Sequence, residues 1–152
     1  VALAPLLIVW FGYGLEAKIV LVALMTFFPV FVNTVAGLHM SNKELIDLYR
    51  ASSASRFTVF REVKLPTAAS AIFAGLEVAV VLALIGTIVA EFVSSRSGLG
   101  YLIQAASTNY DVSMMFAAIA LLAMLGIASS QLLRTAHKKV VFWEGPRRDA
   151  GY

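Results

Sequence analysis

The sequence predicts an all-α membrane protein, and three observations carry that prediction. Of its 152 residues, 60% are hydrophobic and only 14% charged, against about 45–50% apolar and about 25% charged in soluble chains. Apolar runs approaching the roughly 20 residues that a helix needs to cross a bilayer occur three times. The charges gather between and after those runs: of 12 Lys and Arg, five fall in Ser41–Pro66 and five from Arg134 onward, with only Lys18 and Arg96 elsewhere. Such a bias orients a membrane protein with its basic segments on the cytoplasmic side. It does not make the basic face on a soluble fold that nucleic acid requires. Cysteine is absent, which excludes disulfides and thiolate metal sites.

The elements follow in order. Residues 2–11 are apolar but too few to span, and read as the end of a span. The chain starts at Val1 inside that run, without Met and without the charged n-region of a signal peptide, so it reads as the C-terminal part of a longer protein. Gly12-Tyr13-Gly14 breaks the pattern, and Glu16 and Lys18 mark an aqueous boundary. Ile19–Leu38 is the first complete span. Pro29 frees a backbone carbonyl there, with Asn33 and Thr34 within about one turn, which implies a protein-facing kink; packing kink and gating hinge are both open. Ser41–Pro66 is a polar island that reads as two short amphipathic helices closed by Leu65-Pro66.

Ile72–Val93 is the second span. At 100° per residue, Gly75, Ala79, Ala83, Gly86 and Ala90 share an arc of roughly 80°, a small-residue stripe expected to pack closely on another helix. Glu77 and Glu91 lie on the far side, roughly 21 Å apart along the axis. Ser94–Gly100 is a turn. Tyr101–Tyr110 is too short and polar to cross, and is expected to lie at or dip into the outer surface. Val112–Leu133 is the third span, and Arg134–Tyr152 a basic cytoplasmic tail whose Val140–Trp143 reads as an interfacial anchor. Three crossings agree with the charges: island inside, Ser94–Asp111 outside, tail inside.

The spacing within the island is specific. Asp47-Leu48-Tyr49, three residues, Ser53, nine residues, then Val63-Lys64-Leu65-Pro66 resembles the EAA signature of ABC importer permeases. Ser53-Ala54-Ser55-Arg56-Phe57, with Phe60 and Arg61, is similar to the Gly-Ala-Ser-Arg-Trp run of that family. Asp47 stands for the usual Glu, Leu48-Tyr49 for Ala-Ala, and Ser53 for a turn Gly, at a position where φ > 0 favours glycine. Trp10-Phe11-Gly12, Phe28–Thr34, Ala90-Glu91-Phe92 and Gly98–Ile103 also resemble the nitrate, taurine and aliphatic-sulfonate branch.

The resemblance implies a bundle in the bacterial inner membrane, pairing with a second permease copy and surrounded by lipid. It implies two cytoplasmic ATP-binding subunits and a periplasmic or lipid-anchored binding protein, with no cofactor on this chain. The island then acts as a coupling helix through Asp47, Arg50, Ala51, Ser53, Ala54, Ser55, Arg56, Phe57, Phe60, Leu65 and Pro66. Leu45, Leu48, Phe57 and Phe60 are expected to bury in one another or in a cleft of the ATPase, and Arg50 and Arg56 to meet acidic rims.

No Gly-x4-Gly-Lys-Ser/Thr occurs in the sequence, and no catalytic pairing stands out, so an enzyme is not expected. His39 and His137 lack evident metal-binding partners. Gly98 and Gly100 do not complete a dinucleotide loop. Ionisable groups inside spans are functional candidates by default; Glu77 is read as structural, and Glu91 as lying on the pathway or fixing the outer loop. The alternative is a membrane anchor that recruits a different cytoplasmic protein, while an ion channel would need a longer polar stripe.

Overall fold

The computed structural model describes residues 4–12 and 14–143, and all of the regular structure among them is helical. The order is α1 (Ala4–Phe11), α2 (Leu15–His39), α3 (Lys43–Ala51), α4 (Arg56–Val59), a π-turn (Phe60–Lys64), α5 (Leu65–Ser94), α6 (Leu99–Thr108) and α7 (Val112–Val140). Among the described residues, three stretches are long and apolar enough to cross a membrane: Leu15–His39, Arg56–Ser94 and Val112–Val140.

Each is longer than its apolar run. α2 begins at Leu15, so Glu16 and Lys18 lie in its first turn, where an acid suits the helix dipole. It runs unbroken through Pro29; Asn33 Nδ2 donates to the Pro29 carbonyl at 2.8 Å and Thr34 Oγ1 to the Val30 carbonyl at 2.7 Å. α7 starts on an Asp111 cap, whose carboxylate accepts from Met114 N–H at 3.0 Å. It continues past Leu133 to Val140, with His137, Lys138 and Lys139 in its last turn, where cations suit the dipole. Beyond it Val141 is buried, while Phe142 and Trp143 meet edge to face; the rest of the tail lies outside the described residues.

One expectation is overturned. Leu65-Pro66 does not close the second island helix, because helical backbone runs from Arg56 to Ser94 without interruption. In a regular α-helix the Pro66 ring presses on the carbonyl four residues back and offers no N–H. Here a π-turn immediately precedes it, with Leu65 N–H bonded five residues back to the Phe60 carbonyl. The wider turn takes up the proline's misfit. Its 39 residues make a rod of about 58 Å, nearly twice the hydrocarbon thickness.

The bundle is built on α2 and α5, which pack antiparallel along their length. Gly37 meets Ala68 and Ala71, Gly75 meets Pro29, Val30 and Asn33, and Gly86 meets Val22 and Met25. A Cβ at Gly75 would stand 2.8 Å from that of Asn33, so only glycine allows this approach. Leu7 of α1 joins Leu21 and Ala90 in a small buried cluster. α7 crosses α5 with Phe73 stacked on His137 at 4.6 Å and Glu77 paired with Arg134 at 3.4 Å. Those contacts bring the basic end of α7 to the same end of the bundle as the island.

Candidate partner-docking site

The island is a helix–turn–helix held by local bonds. Asn42 Oδ1 accepts from Glu44 N–H at 2.9 Å and caps α3. At the other end Ala54 N–H reaches the Tyr49 carbonyl and Ser53 N–H the Arg50 carbonyl, both at 3.0 Å. That bond pair is a Schellman stop, whose left-handed residue is usually glycine. Here it is Ser53, at φ 58°. Ser55 then caps the next helix, its Oγ accepting from Thr58 N–H at 3.1 Å. Ser53 and Ser55 therefore set the angle between the two island helices.

Asp47, Arg50 and Ala51 lie on α3, Arg56 and Phe57 on α4, Phe60 in the π-turn, and Leu65 and Pro66 at the start of α5. Leu45, Leu48, Phe57 and Phe60 do not bury one another: they are 41%, 62%, 70% and 43% exposed. The turn points them outward, and Val59 and Val63 take the interior positions instead. Arg50 approaches Asp47 at 3.7 Å with both side chains well exposed, a pair that adds little to stability. Apolar anchors and unneutralised cations on one exposed corner suit a protein interface, where aromatic and arginine side chains dominate binding.

The stripe on α5 faces α2: Gly75, Ala79, Gly86 and Ala90 are buried and Ala83 is half-buried. Gly37, its counterpart on α2, has only the neighbouring small residue Ala36 to signal it. Glu91 leaves the opposite flank and reaches the α5–α6 turn, where its Oε2 accepts from Gly100 N–H at 2.6 Å. It thus supplies a side-chain acceptor at the N-terminus of α6, whose own cap residue is Gly98 at φ 117°. A methyl group on Gly98 would overlap the Glu91 carboxylate. Lys18 of α2 donates to Ser95 Oγ at 2.7 Å from the other side. Sequence reasoning missed the Lys18–Ser95, Glu77–Arg134 and Phe73–His137 contacts, which join residues far apart in the chain. It also missed Asn42, although an Asn two residues before Glu44 at a helix start is a readable cap.

Residues 1–141 match the family described as binding-protein-dependent transport system inner membrane component. The chain is 39% identical over 144 residues to the riboflavin transport system permease protein of Chloroflexus aurantiacus, covering 95% of this chain and 54% of that protein. It is 34% identical over 143 residues to the formylaminopyrimidine transport permease protein of Halalkalibacterium halodurans, with 94% and 57% covered. To the taurine transport system permease protein of Escherichia coli it is 30% identical over 144 residues, with 95% and 52% covered. The chain thus spans about half the length of these relatives. A match of this extent, on an all-helical bundle with three helices long enough to cross a bilayer, means that the chain belongs to the ABC importer permeases, the binding-protein-dependent transport inner membrane components, and is a multi-pass protein of the bacterial inner membrane.

Proposed function

We propose that this chain is the C-terminal membrane segment of an importer permease, and that the island Ser41–Pro66 carries the motion of a separate ATP-hydrolysing subunit into the bilayer. The observation that carries the reading is continuity: Arg56, Phe57 and Phe60 sit at one end of the helical rod whose other end, at Ser94, bears the outer turn. A force applied to Phe57 reaches Glu91 through backbone hydrogen bonds rather than through a loop. Basic residues of the island and of the α7 end lie at one end of the bundle, which supports a cytoplasmic island. ATP binds to the partner, and this chain holds no cofactor. A second permease copy completes the pathway and an external binding protein delivers the solute. The cargo is a small solute, taurine- or sulfonate-like anions being one class among those for which the relatives are named.

The test is co-purification of the cognate ATPase with the full-length permease, together with solute uptake, normalised to membrane expression. Phe57→Ala and Arg56→Glu are each expected to weaken the association by about 2 kcal/mol and to uncouple hydrolysis from uptake. Lys43→Ala, at the edge of the island, is expected to change little, as rim charges usually do. Wild-type association and uptake in both Phe57→Ala and Arg56→Glu would remove the coupling role.

A further inference from the structure

The two island helices enclose a hollow of about 320 Å³ lined by Arg50, Ala54, Arg56, Val59, Phe60 and Lys64. Its apolar part is real floor: Val59 is 6% exposed and Ala54 half-buried. Its charged lining is three cations without a carboxylate. Of these three, Arg50 alone has an ion-pair partner among the described residues, the exposed Asp47; Arg56 and Lys64 have none within 4.0 Å. Three like charges around one concavity repel each other, and the fold leaves that repulsion standing. The complement is a segment that brings an apolar side chain to the floor and carboxylates to the rim.

Position decides between a protein and a lipid as the source of those negative charges. Val59 lies 13 residues before Ile72, where the apolar run begins, which is about 20 Å along the helix axis. Headgroups extend only about 5–8 Å beyond the hydrocarbon on each side. The floor at Val59 therefore stands on the water side of the headgroups, with Lys64, 8 residues before Ile72, on the side nearer to them.

We propose that this hollow is the socket for an acidic segment of the ATP-hydrolysing subunit, with an apolar side chain seated on Val59 and carboxylates paired to Arg50, Arg56 and Lys64. The inference rests on the docking reading above and adds the chemistry of the partner surface. Docking then has two parts: Phe57, an anchor that enters the partner, and the socket, which the partner enters.

The experiment measures association and dissociation of the cognate ATPase with full-length permease in nanodiscs, at low and high salt. Wild type is expected to associate more slowly as salt rises. The triple variant Arg50→Gln/Arg56→Gln/Lys64→Gln is expected to associate about tenfold more slowly at low salt and to lose most of the salt dependence. Phe57→Ala is expected to keep the salt dependence and dissociate faster. A triple variant with wild-type rate and salt slope, beside a weakened Phe57→Ala, overturns the socket and leaves docking intact. If Phe57→Ala is also unchanged, docking itself fails and the socket with it. A triple-variant defect that vanishes in nanodiscs of phosphatidylcholine alone, and is seen only with phosphatidylglycerol present, assigns the cations to lipid and overturns the proposal. Should the triple variant assemble poorly, the three single Gln variants carry the test, each expected to remove about a third of the salt slope.

Discussion

The turn at Ser53 and the turn at Gly98 each put one residue at positive φ between two helices, and they are secured by opposite means. At Ser53 every bond is local: Ala54 to Tyr49, Ser53 to Arg50, Thr58 to Ser55. No side chain from α2, α5 or α7 is hydrogen-bonded to it among the described residues, and its large apolar side chains face outward. At Gly98 the bonds come from the spans: Glu91 of α5 to Gly100, and Lys18 of α2 to Ser95 across 77 residues. The island turn is held by its own residues and displays a surface, whereas the α5–α6 turn is tied to two of the spans. That asymmetry suits the coupling role proposed above: one end displays a surface, the other is bonded to the spans.

The largest test of the comparison is Gly98→Ala. At φ 117° and ψ 170° the backbone occupies a region that is essentially glycine-only, and the methyl overlaps Glu91. A loss of about 3 kcal/mol is expected in unfolding from detergent, against less than about 1 kcal/mol for Ser53→Ala, which keeps a Cβ in a conformation already bearing one. Equal losses at the two turns would break the contrast.

Next in size is Glu91→Ala, expected to cost about 2 kcal/mol by leaving the part-buried Gly100 N–H without its acceptor. Hydrogen exchange should quicken at the start of α6 while the island stays protected as in wild type. Faster exchange in both places would show that the two ends are not independent. The smallest effect is a gain. Ser53→Gly relieves a left-handed conformation that costs an L-residue about 1–2 kcal/mol, offset by about 0.4–1 kcal/mol of added freedom in the unfolded chain. A rise in stability of under about 1 kcal/mol is expected, with ATPase association unchanged if the turn angle is kept.

What was legible in the residues was whatever rests on neighbours in sequence. The three spans, the island, the small-residue arc on α5 and the strained character of Ser53 all follow from composition, period or a motif. Glu91 was legible as a residue on the pathway or fixing the loop that follows, but its partners Gly98 and Gly100 were not, because they meet it only once the α5–α6 turn has folded back. Glu77 and Arg134 are 57 positions apart, and nothing local joins them. Reading Leu65-Pro66 as a stop failed for a sharper reason. Proline does end a plain α-helix, but a single widened turn beforehand lets the rod continue, and no residue type within Phe60–Lys64 announces such a turn. The outward stance of Phe57 was hidden likewise, since amphipathic spacing shows which side chains share a face but not whether the face is covered.

That widened turn has a further consequence, for rotation rather than for length. Each residue of an α-helix advances the face by 100° and the axis by 1.5 Å, and a π-turn holds one residue more than the α-helical phase requires. The five residues Phe60–Lys64 thus absorb one residue without turning the island end of the rod away from the face that α5 turns to α2. Removing one of them would restore a plain α-turn with Phe57 on nearly the same face, but would press the Pro66 ring on the turn before it; removing a residue from the plain α-helical part of the rod would instead swing Phe57 by about 100° around the axis. The direction in which this helix offers its surface is written in a count of residues, so two chains with identical side chains at every contact could still meet their partners from different sides.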